Sequence, residues 1–283
     1  MPSLDAVRQS NSNLSPRTTP VALFVGGTSG IGQGTAQAFA RHTKGNAHII
    51  IIGRNRAAAE ATFKTFPAHV NSKYEFIYCD VDLLRNIASV TPALLARPPK
   101  VNYMDTLRGV TRVSEEGINA GLELSYSARK ARDAGEDARV LSVAIAGFGG
   151  PIDYDDIGLL KTHSATMFRQ TLATYTNVAL EFLATLVPGT TFTRACPGTV
   201  DTPLWWIRPL TKVTLTHPEG AGEYMLYALL NSGEEAQRRR QHGDDLPPEN
   251  YYGGDEIHER VCWHTMEVIE KAVATAAANL SKA

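Results

Sequence analysis

The chain has 283 residues, with 28 Lys and Arg against 29 Asp and Glu, for a formal net charge of −1. That balance excludes a nucleic-acid partner held by its phosphates, which needs a basic surplus, and 43% hydrophobic with 20% charged residues is the composition of a folded chain. The longest apolar run, Tyr224 to Leu230, falls far short of the ~20 residues that span a bilayer, so no membrane partner is expected.

Met1 to Pro20 is polar and lacks the apolar segment of a secretory signal; it reads as a disordered leader. Cys79, Cys196 and Cys262 are too few and too scattered for a disulfide framework, which fits a reducing, cytoplasmic setting. From Val21 onward, short apolar runs alternate with helix-period segments. The runs are Val21 to Val25, Ala47 to Ile52, Tyr74 to Cys79, a short Val101 to Met104, Val140 to Ala146, and Thr191 to Cys196. Continuous apolar strands are those covered on both faces, and their alternation with helices predicts βαβ units. The expectation is a single α/β domain over residues 21–283, a doubly wound parallel sheet.

After the first run, Ile31, Thr35, Ala38 and Phe39 share one helix face. Further helices are predicted over Arg56 to Phe66, Ser114 to Ala134, Ser164 to Leu186, Glu219 to Leu230 and Glu256 to Leu280. Residues 203–255 read as an irregular region. Within it, Glu234 to Asp255 is polar and reads as a long surface loop with Arg238-Arg239-Arg240 as a solvated face, and a seventh strand is hard to find after Tyr251, so the sheet is expected to lack that edge.

The segment Val25-Gly26-Gly27-Thr28-Ser29-Gly30-Ile31-Gly32 leaves a strand directly and opens a helix directly. In that context, glycines let the backbone turn tightly and approach a pyrophosphate. The helix's free N–H groups and its positive end then face the phosphates. Gly26, Gly30, Ile31 and Gly32 are therefore candidate coenzyme contacts. The second strand ends at Ile52-Gly53-Arg54-Asn55-Arg56, without the acid that receives a ribose 2′-hydroxyl. An arginine fork there suits a 2′-phosphate, so NADP(H) is expected, with Arg54 as its partner. Asp80 ends the third strand, either to accept from an adenine amino group or to cap the next segment of chain. Cys196-Pro197-Gly198-Thr199-Val200-Asp201-Thr202 is either a plain turn or a wrap for a nicotinamide amide, with Val200 and Thr202 as contacts.

These residues resemble the short-chain dehydrogenase/reductase family. The glycine turn is similar to its TGxxxGIG, with Val25 for the usual Thr. Cys79-Asp80-Val81 resembles its adenine-contacting aspartate, and Pro197 to Thr202 resembles its PG-x-V-x-T. Asp105 to Gly109, Ser114 to Gly117 and Gly147 to Pro151 resemble a divergent fungal subgroup tied to secondary metabolism. The resemblance covers roughly Val21 to Thr202. It implies a Rossmann-type fold, NADP(H), and hydride transfer to or from a small-molecule carbonyl or alcohol. It also implies a tyrosine acid/base, a lysine that tunes it, a serine that orients the carbonyl and an asparagine in a proton relay.

The chemistry residues depart from that pattern. The serine position, aligned on Gly147, is Ala144; Ser142 lies two residues earlier. Tyr126-Ser127-Ala128-Arg129-Lys130 is a YxxxK, but it precedes the fifth strand, whereas the family's pair comes after it. Beyond that strand, His163-Ser164-Ala165-Thr166-Met167 stands where YSASK is expected, with His163 for Tyr and Met167 for Lys. His163 is the candidate acid/base, and a surface or cap histidine is the other reading. Tyr175 is a second tyrosine without its lysine. The turn expected after Val101 to Met104 is missing, and the chain runs directly into Asp105. His258 and Cys262 share a helix face near His264, but no fourth ligand is evident, so helix packing is expected and no metal. Trp205 and Trp206 stand where the family places a substrate lid, and either close over an apolar ligand or pack on the body or a partner subunit. The leading expectation is an NADP(H)-dependent oxidoreductase on a largely apolar metabolite. The alternatives are a non-redox isomerase or cyclase on the same scaffold and a catalytically degenerate NADP-binding member. A homo-oligomer is compatible with each.

Overall fold

The computed structural model describes residues 1–81, 86, 89–90, 94, 100–107, 128, 130–144, 147–157, 161, 164–201, 215–233, 236–246, 252–264 and 267. Its strands are β1 (Val21–Val25), β2 (His48–Gly53), β3 (Lys73–Tyr78), β4 (Tyr103–Leu107), β5 (Arg139–Val143), β6 (Thr191–Ala195) and β7 (Gln237–Arg239). They form one sheet in the order β3-β2-β1-β4-β5-β6-β7, every pair parallel. The helices are α1 (Leu4–Asn11), α2 (Gly30–His42), α3 (Arg56–Phe63), α4 (Ala165–Leu186) and α5 (Pro218–Leu230). This is the doubly wound, Rossmann-type α/β fold expected from the alternation of apolar runs. None of the described helices is long and apolar enough to cross a membrane.

Alternate residues of each central strand feed opposite cores, so both faces are apolar. Ala22, Phe24, Ile49, Ile51 and Leu141 pack with α2 and α5. Val21, Leu23, Val25, Ile50, Met104 and Phe192 pack with Leu180 and Leu183 of α4. Ile31, Thr35, Ala38 and Phe39 of α2 are all buried, as their spacing predicts. Of the helix expected over Ser114 to Ala134, residues 128 and 130–133 are described and helical. They stop before Gly135, whose φ is +70°.

The structure corrects three expectations. The N-terminal segment is not wholly disordered, because α1 forms with Ser3 as its cap. Val7 and Asn11 of α1 are fully buried against α5. The second correction is a seventh strand inside the polar stretch. β7 pairs with β6, placing Arg238 opposite Arg194 and Arg239 opposite Ala195. Arg239 is not simply solvated: it donates to Asn231 O at 2.8 Å and to Gln237 Oε1 at 2.7 Å, and it pairs with Asp245 at 2.7 Å. A short, charged strand is a common way to finish a sheet edge. The third correction is β4, which continues through Leu107 where the sequence suggested an early end. Pairing with β1 on one side and β5 on the other holds Asp105 and Thr106 extended.

Helices α2 and α5 touch backbone to backbone. A Cβ at Gly34 would lie 2.2 Å from Pro218 O, and one at Gly222 would lie 2.1 Å from the Gly34 carbonyl carbon. Beside this crossing, buried Glu223 of α5 gathers several partners, among them Arg8 at 3.9 Å. Arg41 Nη1 lies 2.5 Å from Oε1, His42 Nε2 lies 2.9 Å from Oε2, and Asn11 Nδ2 donates to Oε2 at 2.8 Å. Burial alone would raise this carboxyl, but the bonds from His42 and Asn11 and the charges of His42 and Arg41 hold it below its ordinary range. A buried carboxylate is tolerated when it is paired and hydrogen-bonded in this way. The same residue fixes α1 to the body of the domain.

Candidate functional site

Strand order reverses between β1 and β4, since the chain runs outward through β2 and β3 and then returns to the other side of β1. In open parallel sheets, ligands sit at the carboxyl edge of such a switch point. The glycine turn lies there. Gly26 N–H donates to Ile52 O at 2.9 Å, tying the turn to the end of β2. Its φ of +85° is a left-handed conformation that favours glycine. Gly30 starts α2, also at positive φ. A Cβ at Gly32 would lie 2.8 Å from Gly26 O, so the first turn of α2 sits directly on the backbone of the loop. Ile31 anchors that turn in the core at 7% exposure.

The N-terminus of α2 differs from those of the other named helices. Ser3, Asn55, Ser164 and His217 each accept a backbone N–H at the start of α1, α3, α4 and α5. Ser29 makes no such bond. Helix geometry leaves first-turn amides without intrahelical acceptors. Amides of this kind are the groups that bind anions at helix N-termini.

Arg54 comes directly after the last residue of β2, and its side chain is 64% exposed. Cys79 N–H donates to Gly53 O at 3.0 Å, holding the ends of β2 and β3 side by side. The structure accordingly brings Arg54 and Asp80 together, with Nη1 3.7 Å from Oδ1. The second guanidinium, that of Arg56, turns elsewhere. It faces Glu60 at 3.8 Å and lies 4.9 Å over the Phe76 ring.

The edge formed by β5, α4 and β6 is chemically different. Ala144 sits just past β5, its N–H donating to Ala195 O at 2.9 Å. No hydroxyl is available there. Ser142 lies within the strand, opposite Thr106 and Arg194. Tyr175 is buried in the middle of α4, and its hydroxyl donates to Ile157 O at 2.9 Å. Burial, with the charges of Asp156 and Asp153, pushes this phenol well above its usual range. Met167, at the lysine position, is 56% exposed in the first turn of α4. His163, Tyr126, Thr202, Trp205 and Trp206 lie outside the described residues.

In the turn after β6, Gly198 has a φ of +67°. Val200 is 2% exposed and packs in the α2–α5 core; it also bridges to Thr216. Its side chain is therefore structural, and only its backbone is placed to meet a ligand. Near the C-terminus, His258 pairs with Glu181 at 2.9 Å. Cys262 and Val261 pack against Tyr175 and Val178 of α4. Burial pushes the Cys262 thiol up to about 11. This is the helix-packing arrangement anticipated for that segment.

Arg194 and Asp105, like Glu223, are buried ionic groups that sequence reasoning missed. Arg194 of β6 is 2% exposed and donates through Nη1 to Ala173 O and to Asn177 Oδ1 at 2.8 Å, bracing α4 from beneath. Asp105 of β4 is 1% exposed. It sits opposite Phe24 and Leu141, and neither carboxyl oxygen has a hydrogen-bond partner among the described residues. Burial lifts its carboxyl to about 7. The nearby Thr35 hydroxyl offsets this only in part, its proton being donated to Ile31 O. An acid inside an otherwise apolar strand was the available signal, and the expected end of that strand at Met104 hid it.

A groove of about 480 Å³ runs along α2 from Gly30 past Gln33, Gln37 and Arg41 to Glu219. Its polar side chains already serve one another, Gln33 with Thr62, Gln37 with Thr65 and Arg41 with Glu219. It presents no convergent set of groups to a ligand, unlike the turn at the sheet edge.

A family model described as short chain dehydrogenase matches residues 20–125. The oxidoreductase andH of Emericella variicolor is 32% identical over 219 residues, covering 72% of this chain and 65% of that protein. The oxidoreductase AN1596 of Emericella nidulans is 32% identical over 220 residues, covering 72% of this chain and 66% of that protein. The matched region thus spans just under two thirds of the length of these relatives. Among solved structures, the carbonyl reductase Sniffer of D. melanogaster superimposes with a TM-score of 0.57 at 14% identity, over 81% of this chain and 99% of that one. That likeness concerns the fold alone. Sequence relatives, family model and sheet architecture converge on one likeness: the chain is similar to short-chain dehydrogenases/reductases, among them divergent fungal oxidoreductases.

Proposed function

We propose that the chain binds NADP(H) and transfers hydride between it and a small, largely apolar metabolite of a secondary-metabolite pathway. The observation that carries this reading is the glycine turn at the switch point, with the uncapped first turn of α2 packed against it. The turn fits a pyrophosphate because its closest packing leaves no room for side chains. In this reading the backbone of Gly26, Gly30, Ile31 and Gly32 holds the two phosphates. Arg54 holds the 2′-phosphate, and Asp80 accepts from the adenine amino group. The backbone at Val200, with Thr202, holds the nicotinamide amide. When bound, the coenzyme supplies or accepts the hydride.

Ala144 and the exposed Met167 stand where a carbonyl-orienting hydroxyl and a tuning cation are expected, and Tyr175 is engaged with Ile157. These residues support a substrate that is already electrophilic, such as an iminium or a conjugated enone, which needs less help from a proton donor. The names of the Emericella relatives support redox chemistry. The resemblance of Asp105 to Gly109 and Gly147 to Pro151 to the fungal subgroup supports the pathway class. Free Cys79, Cys196 and Cys262 support a reducing, cytoplasmic location.

The test is incubation of the purified protein with NADPH and a panel of iminium and enone substrates, monitoring nicotinamide absorbance and product together. Reduced coenzyme should disappear in step with product. Conversion of substrate with no loss of reduced coenzyme contradicts the redox reading and marks an isomerase.

A further inference from the structure

Arg54 and Asp80 were singled out for different groups of one ligand, and the fold makes them neighbours. Gly53 and Tyr78 are register partners at the ends of β2 and β3, and the bond from Cys79 N–H to Gly53 O carries this alignment beyond the strands. Just past these ends stand the guanidinium and the carboxylate, 3.7 Å apart. That separation exceeds a hydrogen bond but lies within a charge contact. The pair is half open to solvent, with side-chain exposures of 64% and 30%. A stronger anion can compete for a solvent-facing charge contact of this kind.

We propose that Asp80 sets coenzyme specificity by pairing with Arg54, which narrows the preference for the 2′-phosphorylated coenzyme over its 2′-hydroxyl counterpart. The inference rests on the coenzyme reading above. A 2′-phosphate must draw Arg54 away from Asp80. A 2′-hydroxyl carries no charge and does not compete for the guanidinium. Asp80 therefore acts on the difference between the two coenzymes, in addition to any contact with the adenine they share. Replacing it with Asn keeps the size and a carbonyl acceptor for an adenine amino group, but removes the charge.

The experiment is a double-mutant cycle read by equilibrium binding of NADPH and NADH to the full chain: wild type, Asp80→Asn, Arg54→Gln and the double variant. Circular dichroism confirms that each variant is folded, which is expected for partly exposed side chains. Asp80→Asn should tighten NADPH about fivefold, the scale of a half-exposed ion pair, with under about twofold effect on NADH. In the Arg54→Gln background the same change should leave the ratio of the two affinities unaltered. Equal shifts for both coenzymes in Asp80→Asn, or the same ratio change with Arg54 absent, overturn the inference while leaving the coenzyme reading intact. Failure of wild type to bind either coenzyme overturns the coenzyme reading, and the inference falls with it.

Discussion

The two ends of the sheet's carboxyl edge have met different fates. On the side of β1, β2 and β3 the chain keeps a turn seated on α2 with a 2.8 Å approach at Gly32, and an arginine fork two residues past Ile52. On the side of β5, α4 and β6 the strands and helix are equally well built. Yet Ala144 offers no hydroxyl, Met167 offers no cation, and Tyr175 is bound to Ile157. The difference arises from what each job requires. Holding phosphates needs mainly backbone amides and a path that presents them, so it persists as long as the turn does. Proton transfer needs particular side chains, and single substitutions can erase these without disturbing the packing that supports them.

The comparison can be broken most severely at Gly32. A Cβ there meets Gly26 O at 2.8 Å, so Gly32→Ala must displace either the turn or the helix. Coenzyme binding should weaken by about 100-fold, the equivalent of ~3 kcal/mol, while circular dichroism still shows a folded chain. Unchanged affinity in a folded variant would show that the turn is not the coenzyme cradle.

Asp105 lies where the two halves join. Its carboxyl is lifted to about 7 by burial. The unfolded chain loses this proton at about pH 4, whereas the folded chain keeps it until neutral pH. This group alone therefore lowers stability by roughly 1.4 kcal/mol per pH unit between those limits, after which the loss levels off. Asp105→Val should remove that slope. In urea titrations the variant's advantage should be small near pH 4 and largest above pH 7. An advantage independent of pH would mean that Asp105 does not change its proton affinity on folding.

The smallest effect is expected at Tyr175. Tyr175→Phe removes the bond to Ile157 O and should cost about 1 kcal/mol of stability, with turnover unchanged. A collapse in turnover would restore a catalytic tyrosine to the half described as lacking one.

Much of the fold was legible because strands buried on both faces write themselves as apolar runs. Val21 to Val25 is β1 without change, β6 ends one residue before its run, and β2 and β3 are each displaced by one residue from theirs. Helix α2 was written in the spacing of Ile31, Thr35, Ala38 and Phe39. Helix α1 was hidden because its inward stripe is only Leu4, Val7 and Asn11, and its anchor, Glu223, lies 212 residues from Asn11. Strand β7 was hidden because Gln237, Arg238 and Arg239 carry no apolar signal; backbone pairing to β6 makes it a strand. In the site, the glycines and Arg54 could be read locally, since their role depends on backbone path and position at a strand end. The Arg54–Asp80 contact could not, because it exists only through the register of β2 and β3. The burial of Asp105 likewise depends on two neighbouring strands that extend β4 beyond its apolar residues.

The account depends above all on coenzyme binding at the switch point. Its most direct measurement is an equilibrium fluorescence titration of the purified wild-type chain with NADPH and with NADH. The account predicts saturable binding, tighter for NADPH and lost in folded Gly32→Ala. Absence of saturable binding by either coenzyme to the folded wild-type chain would contradict it.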